Sequence, residues 1–266
     1  MRLAVKHSTR YVYDAPVDYG LQQVRLTPKE RTGQKILHWA ITVEGGRKEL
    51  HFTDHHANHV DLISIEPGSE QLLLNIEGEV ETSDTAGVIG QQRGYTALWM
   101  FRRPTLLTAP GQKVQALVEE LEDDFEDDIA RAHALSALIV AHVPYASGMT
   151  DAGTDAEQAL ARGAGVCQDH AHIFIAAMRL LGHPARYVSG YLMMNDRVQQ
   201  DATHAWAEAW IDELGWVGFD VSNGYSPDER YIRVATGLDY KDAAPISGMR
   251  YGTTDERMQV QLQVQQ

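Results

Sequence analysis

The sequence predicts an α+β protein: an amino-terminal antiparallel β-domain followed by a unit of helices packed on an antiparallel sheet. Three observations carry this. Short segments rich in Val, Ile, Leu and Tyr, separated by turn residues, fill the chain up to about Thr85. Helical periodicity then takes over, with apolar residues recurring at three- and four-residue intervals. From Arg186 the pattern returns to strands, and helices followed by strands within one unit mark an α+β fold. The chain accordingly divides into residues 1–85 and residues 86–266, the second part including the carboxy-terminal strands.

Each element follows from its own residues. In the first part, Arg10–Tyr13, Ile36–Val43, Val60–Ile65 and Leu72–Val80 read as strands, with turns expected at Asp14-Ala15-Pro16, Gly45-Gly46, Pro67-Gly68 and Ser83-Asp84. Gly111–Leu121 and Ile129–His142 read as helices, and the acidic run Glu119–Asp128 between them as a solvated loop or helix end. Thr154-Asp155-Ala156-Glu157 has the form of a capping box and opens a short helix reaching Arg162, which Gly163-Ala164-Gly165 breaks. The next helix begins at Cys167 and ends at Leu181, with Gly182 and Pro184 as its stop. Arg186–Met194, His204–Ile211 and Trp216–Val221 follow as strands. Tyr231–Leu238 and Met258–Val264 add two more, the alternation in MQVQLQV indicating a half-exposed one.

Composition narrows the function. The chain has 266 residues, 44% of them hydrophobic, and a formal net charge of -14. Such acidity argues against nucleic acid as the main partner and against an anionic membrane surface, since both need clustered Lys and Arg. A single cysteine excludes internal disulfides and Cys-rich zinc sites. No apolar run of about twenty residues is present, and MRLAVKHSTRYVYDAP lacks an apolar signal core. The expectation is a cytoplasmic protein, where a thiol stays reduced.

The one cysteine, Cys167, stands in GVCQDHAH, between a glycine and a helix start. A lone Cys is ordinarily a small buried apolar residue. Here unpaired N–H groups and the positive end of the helix dipole favour the thiolate, which is the nucleophile. The Cys167 N–H is also placed to donate to an oxyanion. A nucleophilic Cys needs a base and an orienter. In HAWAEAWI, His204 shares a strand face with Trp206, Glu208 and Trp210, while Ala205, Ala207 and Ala209 form a smooth face for a helix. A hairpin loop with an odd number of residues places His204 and Asp220, of GWVGFD, on one face, opposite or diagonal. Asp220 would then hold the imidazole. His170 is a rival base, although two groups on one helix face leave little room for a substrate. Asp169 and His172 read as braces of the helix start.

GVCQDHAHIFIAAMRLLGHPARYVSGY, HAWAEAWI and GWVGFDVSNG together resemble the core of the bacterial transglutaminase-like superfamily, often described as candidate cysteine proteases. YVYDAPVDYGLQQVRLTP and DHHANHV resemble the β-domain that precedes that core, and YIRVATGLDYKDAAPISGMRYG its carboxy-terminal end. The resemblance implies a papain-like catalytic core in which Cys167 is the nucleophile, His204 the base and Asp220 the orienter. Transglutaminases take a second oxyanion donor from an upstream aromatic residue, which points to Tyr145. The chain departs from the family at Asp220-Val221-Ser222-Asn223, in place of Asp-Pro-Thr-Asn, and at His56-Ala57-Asn58, in place of Phe-Gly-Asn, where Ala replaces the residue suited to a left-handed turn.

The expected activity is acyl transfer through a thioester on Cys167, cleaving peptide or carboxamide bonds as a protease or amidase, with a peptide or protein as substrate. The alternatives are a protein-glutamine transglutaminase with an amine acceptor and, third, a non-catalytic binding module. No cofactor is expected. His51, His55, His56 and His59 with Asp54 invite a metal reading, but their turn-like context away from the thiol argues against it. Trp206, Trp210, Tyr191 and Trp216 read as core aromatics.

Overall fold

The computed structural model describes residues 1–266 apart from 93, 123, 196, 201 and 252–254. Seven strands open the chain: β1 (Arg2–Val17), β2 (Tyr19–Val24), β3 (Gln34–Glu44), β4 (Gly46–Thr53), β5 (His59–Ile65), β6 (Ser69–Thr82) and β7 (Val88–Gly90). Helices α1 (Gln112–Glu119), α2 (Asp128–His142), α3 (Ala156–Arg162) and α4 (Cys167–Leu180) follow. Then come β8 (Ala185–Leu192), β9 (Gln199–Gln200), β10 (His204–Ile211), β11 (Gly215–Phe219), β12 (Tyr231–Gly237), α5 (Tyr240–Ala243), β13 (Ile246–Tyr251) and β14 (Glu256–Gln265). Among the described residues the strands form three sheets, ordered β3-β6-β1-β14-β9, β13-β2-β5-β4 and β12-β8-β10-β11-β7, with antiparallel neighbours. The result is the expected α+β architecture. No helix among them is long and apolar enough to cross a membrane.

β1 shows why the first sheet forms. Leu3, Val5, His7, Thr9, Tyr11 and Tyr13 alternate onto one buried face, the period of two that a half-covered strand requires. The expected turn at Asp14-Ala15-Pro16 does not form. β1 runs through it, and its register against β6 jumps from Val12 opposite Gln71 to Val17 opposite Ser69. Proline cannot donate to the ladder, so the strand bulges there instead of reversing.

The carboxy-terminal strands, grouped by sequence with residues 86–266, complete the amino-terminal sheets. β14 pairs along β1 from Ala4 opposite Gln265 to Tyr13 opposite Glu256, and β13 pairs with β2. β1 has two ladder edges, and β6 satisfies only one. β14 covers the other, and alternation alone does not say which edge it will cover.

In the third sheet, α4 packs on β8 and β10. α4 is buried nearly all round, with Ile173, Phe174, Ile175 and Met178 fully buried, as a central helix must be. Ala205, Ala207 and Ala209 share its cluster, whereas Trp206 packs on the other face with Val188, Leu192 and Tyr231. The smooth face read from sequence is therefore the one that receives the helix. Trp216 and Tyr191 are buried core residues, and Trp210 packs edge-on against Trp216.

Two local readings are corrected. The capping box of α3 sits one residue later than expected. Asp155 accepts from Gln158 N at 2.8 Å and Gln158 Oε1 accepts from Asp155 N at 3.3 Å. Glu157 is thereby freed to cap α1, accepting from Gly111 N at 2.9 Å, Lys113 N at 3.0 Å and Val114 N at 2.8 Å. At the second site Ala57 does adopt the left-handed conformation, φ 61°, although it replaces glycine. Asp54 enforces this turn: its Oδ1 accepts from His56 N at 2.9 Å and from Asn58 N at 2.8 Å.

Candidate active site

The site starts from the loop before α4. Gly165 N and O bond to Pro144 O at 3.4 Å and Ala146 N at 2.8 Å, which lays the chain beside Tyr145. Gly165 leaves room for a carboxylate: a Cβ there would stand 2.8 Å from Asp169 Oδ2. That oxygen accepts from Val166 N and from Thr150 Oγ1, both at 2.7 Å. Asp169 thus reaches back over the first turn and fixes the helix start, as expected of an acid at this position. Cys167 is the first residue of α4 and half-buried. Its N–H has no intrahelical acceptor and remains available to a ligand.

His204 opens β10. The loop to β11 is Asp212-Glu213-Leu214, an odd number of residues, with Ile211 opposite Gly215 and Ala207 opposite Phe219. Extending that register puts Asp220 diagonal to His204 on the same face. His204 Nε2 donates to Asp220 Oδ2 at 2.6 Å, both groups buried. The other ring nitrogen is not taken by Asp220, and His204 and Cys167 line one cleft and interact electrostatically. Burial opposes a charge on this ring, but the Asp220 carboxylate and the Cys167 sulfur outweigh it and raise the imidazolium to about 10.

Three donors converge on Asp220 Oδ2: His204 Nε2, Tyr231 OH at 2.6 Å and Asn223 Nδ2 at 2.7 Å. Despite burial, these partners hold the carboxyl below its ordinary range. Tyr231 was not singled out in the sequence; it lies on β12, and nothing local links it to Asp220. Ser222 and Asn223 did carry a signal, since they follow Asp220 directly. Ser222 serves the rival histidine. His170 Nε2 donates to Val143 O at 2.7 Å and its Nδ1 accepts from Ser222 Oγ at 2.7 Å. Burial lowers its pKa, and both ring nitrogens are occupied away from Cys167. His172 is wholly buried, accepts from Tyr240 N at 3.2 Å and is pushed by burial down to about 3.

Tyr145 lies on the loop alongside Gly165 and is 56% exposed. Burial of its remainder, then Cys167 and Asp220, raise its hydroxyl pKa, so it stays a neutral donor near the thiol. Cys167 and His204 open into a cleft of about 270 Å³. Its far wall is the amino-terminal sheet, with His7, Thr9 and Tyr11 of β1 and Met258 and Val260 of β14. Tyr187, Ser189 and Tyr240 line the near side. No Lys, Arg, Asp or Glu lines it among the described residues. His7 is held neutral, since burial lowers it to about 4.

The histidine-rich turn lies elsewhere. His51 and His59 stack at 5.4 Å, while His55 and His56 gather with Asp242, their ligand-type atoms within 4.8 Å of one another. Asp242 accepts from His56 Nε2 at 3.2 Å and from Leu238 N at 3.0 Å.

Residues 115–221 match the model of the transglutaminase-like superfamily core, and residues 3–81 match that of the bacterial transglutaminase-like N-terminal region. An uncharacterised protein of Mycobacterium leprae is 27% identical over 266 residues, covering 94% of each chain. One of Mycobacterium tuberculosis is 28% identical over 281 residues, covering 96% of this chain and 89% of its own. The protein-glutamine gamma-glutamyltransferase of Pseudomonas aeruginosa is 29% identical over 151 residues, 47% of this chain and 22% of its own. A solved structure of a candidate cysteine protease from Cytophaga hutchinsonii shares the fold, with TM-score 0.77 and 24% identity over 99% of this chain and 90% of that one.

Proposed function

We propose that this chain, which belongs to the transglutaminase-like superfamily, is a cysteine-dependent acyl-transfer enzyme that hydrolyses peptide or carboxamide bonds. The observation that supports this most directly is the position of His204, bonded through Nε2 to buried Asp220 and lining one cleft with Cys167, the first residue of α4. In this reading the imidazolium faces a thiolate. Sγ of Cys167 attacks the carbonyl carbon, forming the S–C bond. The oxyanion takes hydrogen bonds from the Cys167 N–H and the Tyr145 hydroxyl. His204 gives its proton to the amine nitrogen as the C–N bond breaks, and the amine leaves. Water then adds to the thioester, giving up a proton to His204; the C–S bond breaks, the acid departs and Sγ leaves as the thiolate that again faces the imidazolium. Asp220 keeps the ring oriented and balances its charge throughout.

A cleft whose described lining has no Lys, Arg, Asp or Glu suits an uncharged acyl side chain of a peptide. A second reading, transfer of the acyl group to an amine, draws on the likeness to the Pseudomonas glutamyltransferase and shares every step to the thioester. A binding module without chemistry is less well supported, because none of the three groups has been lost.

Incubation with a peptide carboxamide, followed by mass analysis with and without added primary amine, tests the proposal. Acyl mass on Cys167 with free acid as product is expected. Amide formation with the added amine would instead select the second reading. Absence of both adduct and product over a broad peptide-amide set would overturn acyl transfer.

A further inference from the structure

The fold gives the histidine-rich turn a partner that its own segment lacks. His55 and His56 are the two central residues of a β-turn closed by Ala57 N, which donates to Asp54 O at 2.9 Å. Their ring centroids stand 4.1 Å apart. Asp54, the acid that the sequence sets beside these histidines, is spent on the turn itself, accepting from His56 N and Asn58 N, and on Arg25. Asp242 on α5, 186 residues beyond His56, takes its place. One ligand-type atom from each of His55, His56 and Asp242 lies within 4.8 Å of the others.

The three groups are held before any ion arrives. Asn58 fastens the turn to β12, donating to Thr236 O at 2.7 Å and accepting from Thr236 N at 2.9 Å. Thr96 fastens the His55 end, donating to His55 O from Oγ1 at 2.7 Å and from N at 3.2 Å. Leu238 N donates to Asp242 Oδ2 and steadies the carboxylate. Groups ordered in advance cost less to bind with. Thr96 also decides how the His56 ring is used. Its hydroxyl proton is committed to His55 O, so at 3.4 Å it can only accept from His56 Nδ1. Nε2 is then the nitrogen presented to Asp242 Oδ2, 3.2 Å away. Metal-bound histidines are held in this manner, the second nitrogen donating to an outer partner. Lys29 Nζ meets the turn at His56 O and Arg25 meets it at Asp54, so neither cation occupies the ligand atoms.

We infer that His55, His56 and Asp242 bind a zinc(II) ion, with water in the fourth position. Two imidazoles and a carboxylate are a donor set that zinc takes. Two donors each ~2.0 Å from a tetrahedral ion stand ~3.3 Å apart, which matches the 3.2 Å between His56 Nε2 and Asp242 Oδ2. The exposed His55 ring supplies the third bond by turning toward that pair. On binding, the proton that joins Nε2 to Asp242 leaves to solvent, so affinity falls with falling pH. None of the three residues lines the cleft of Cys167, but Tyr240, two residues before Asp242, does. The ion would therefore tie the amino-terminal turn to the short helix that supplies part of the cleft wall.

The test uses the full-length protein, cleared of metal with a chelator and dialysed against zinc chloride. Bound metal is counted per chain, and thermal unfolding is read with and without zinc. Wild type is compared with His55→Gln, Asp242→Asn, His51→Gln and Cys167→Ser. We expect one zinc per chain in wild type and an unfolding temperature that rises with zinc concentration. His55→Gln and Asp242→Asn should each bind at least about a hundredfold more weakly, since even the outer partners of zinc ligands are worth about 10- to 100-fold in affinity. Both should fold without zinc: His55 is exposed, and the amide oxygen of Asp242→Asn can still accept from Leu238 N. His51→Gln and Cys167→Ser should keep the ion, and loss of binding in either would place it elsewhere and overturn the site. No stoichiometric zinc on wild type, or equal affinity in wild type and in folded His55→Gln and Asp242→Asn, would overturn it as well.

Discussion

Replacing Asp220 with Asn tests how much of His204 depends on charge and how much on orientation. From sequence alone, Asn and Ala at this position are expected to impair acylation alike, because an amide N–H facing the ring would stabilise the wrong tautomer. The structure separates them. His204 Nε2, Tyr231 OH and Asn223 Nδ2 all donate to Asp220 Oδ2, so an Asn must turn its oxygen toward them. The tautomer survives and only the charge is lost. Two unit charges 2.6 Å apart interact by ~6 kcal/mol at an effective dielectric constant of about 20. Raising His204 from 6.5 to about 10 corresponds to ~5 kcal/mol net of burial, shared between Asp220 and Cys167. Assigning about half to Asp220, ~2–3 kcal/mol, predicts a roughly 30- to 150-fold slower single-turnover acylation in Asp220→Asn. The alkaline limb of the rate profile should fall by roughly two pH units, because His204 then loses its proton earlier. Asp220→Ala leaves three buried donors without an acceptor, each costing about 1–3 kcal/mol, so it should acylate more slowly still and unfold at a lower temperature. The assay is single-turnover acylation by an activated ester from pH 5 to 10, with circular dichroism to confirm folding. An Asp220→Asn enzyme with wild-type rate and an unmoved alkaline limb would refute the role given to the carboxylate.

Three further outcomes follow from the same geometry. Iodoacetamide should alkylate Cys167 readily near neutral pH in wild type and in folded His170→Ala, but about tenfold more slowly in His204→Ala; dependence on His170 instead would move the base onto the helix. Ala57→Gly should raise the unfolding temperature by about 2–4 °C, since it relieves ~1 kcal/mol of left-handed strain at φ 61°; an unchanged or lower value would mean the Asp54 turn carries no strain. Acidification should destabilise the fold before most carboxylates titrate. Burial holds His7 at about 4 and His172 at about 3, so between about pH 6.5 and 4 the unfolded chain binds protons that the native state refuses. Stability should fall across that window, by up to ~3 kcal/mol for His7, and His7→Asn should flatten the slope; a constant unfolding temperature from pH 6.5 to 4.5 would contradict this.

Much of the site was legible in the sequence because its parts are set by local geometry. A glycine before a helix start marks Cys167, and the acid two residues beyond it is spaced to reach back over the first turn. The period of two along β10, with an odd loop into β11, is enough to bring Asp220 to the face of His204, since a hairpin's register depends only on the few residues between its strands. The division of β10 into an alanine face and an aromatic face likewise needs only alternation. What the sequence could not supply are contacts whose partners lie far apart in the chain. Tyr231 meets Asp220 only once β12 has folded onto β8, and the partners that take up both His170 ring nitrogens, Val143 and Ser222, lie on two other segments. The far wall of the cleft comes from β1, more than 150 residues before Cys167, and closes only because β14 returns to pair with it. Asp242 joins His55 and His56 from 186 residues beyond the turn, and the histidine-rich segment by itself does not reveal it. Side-chain pattern determines the face a strand presents. Only the balance of buried surface and ladder pairing over the whole chain decides which element comes to lie against it.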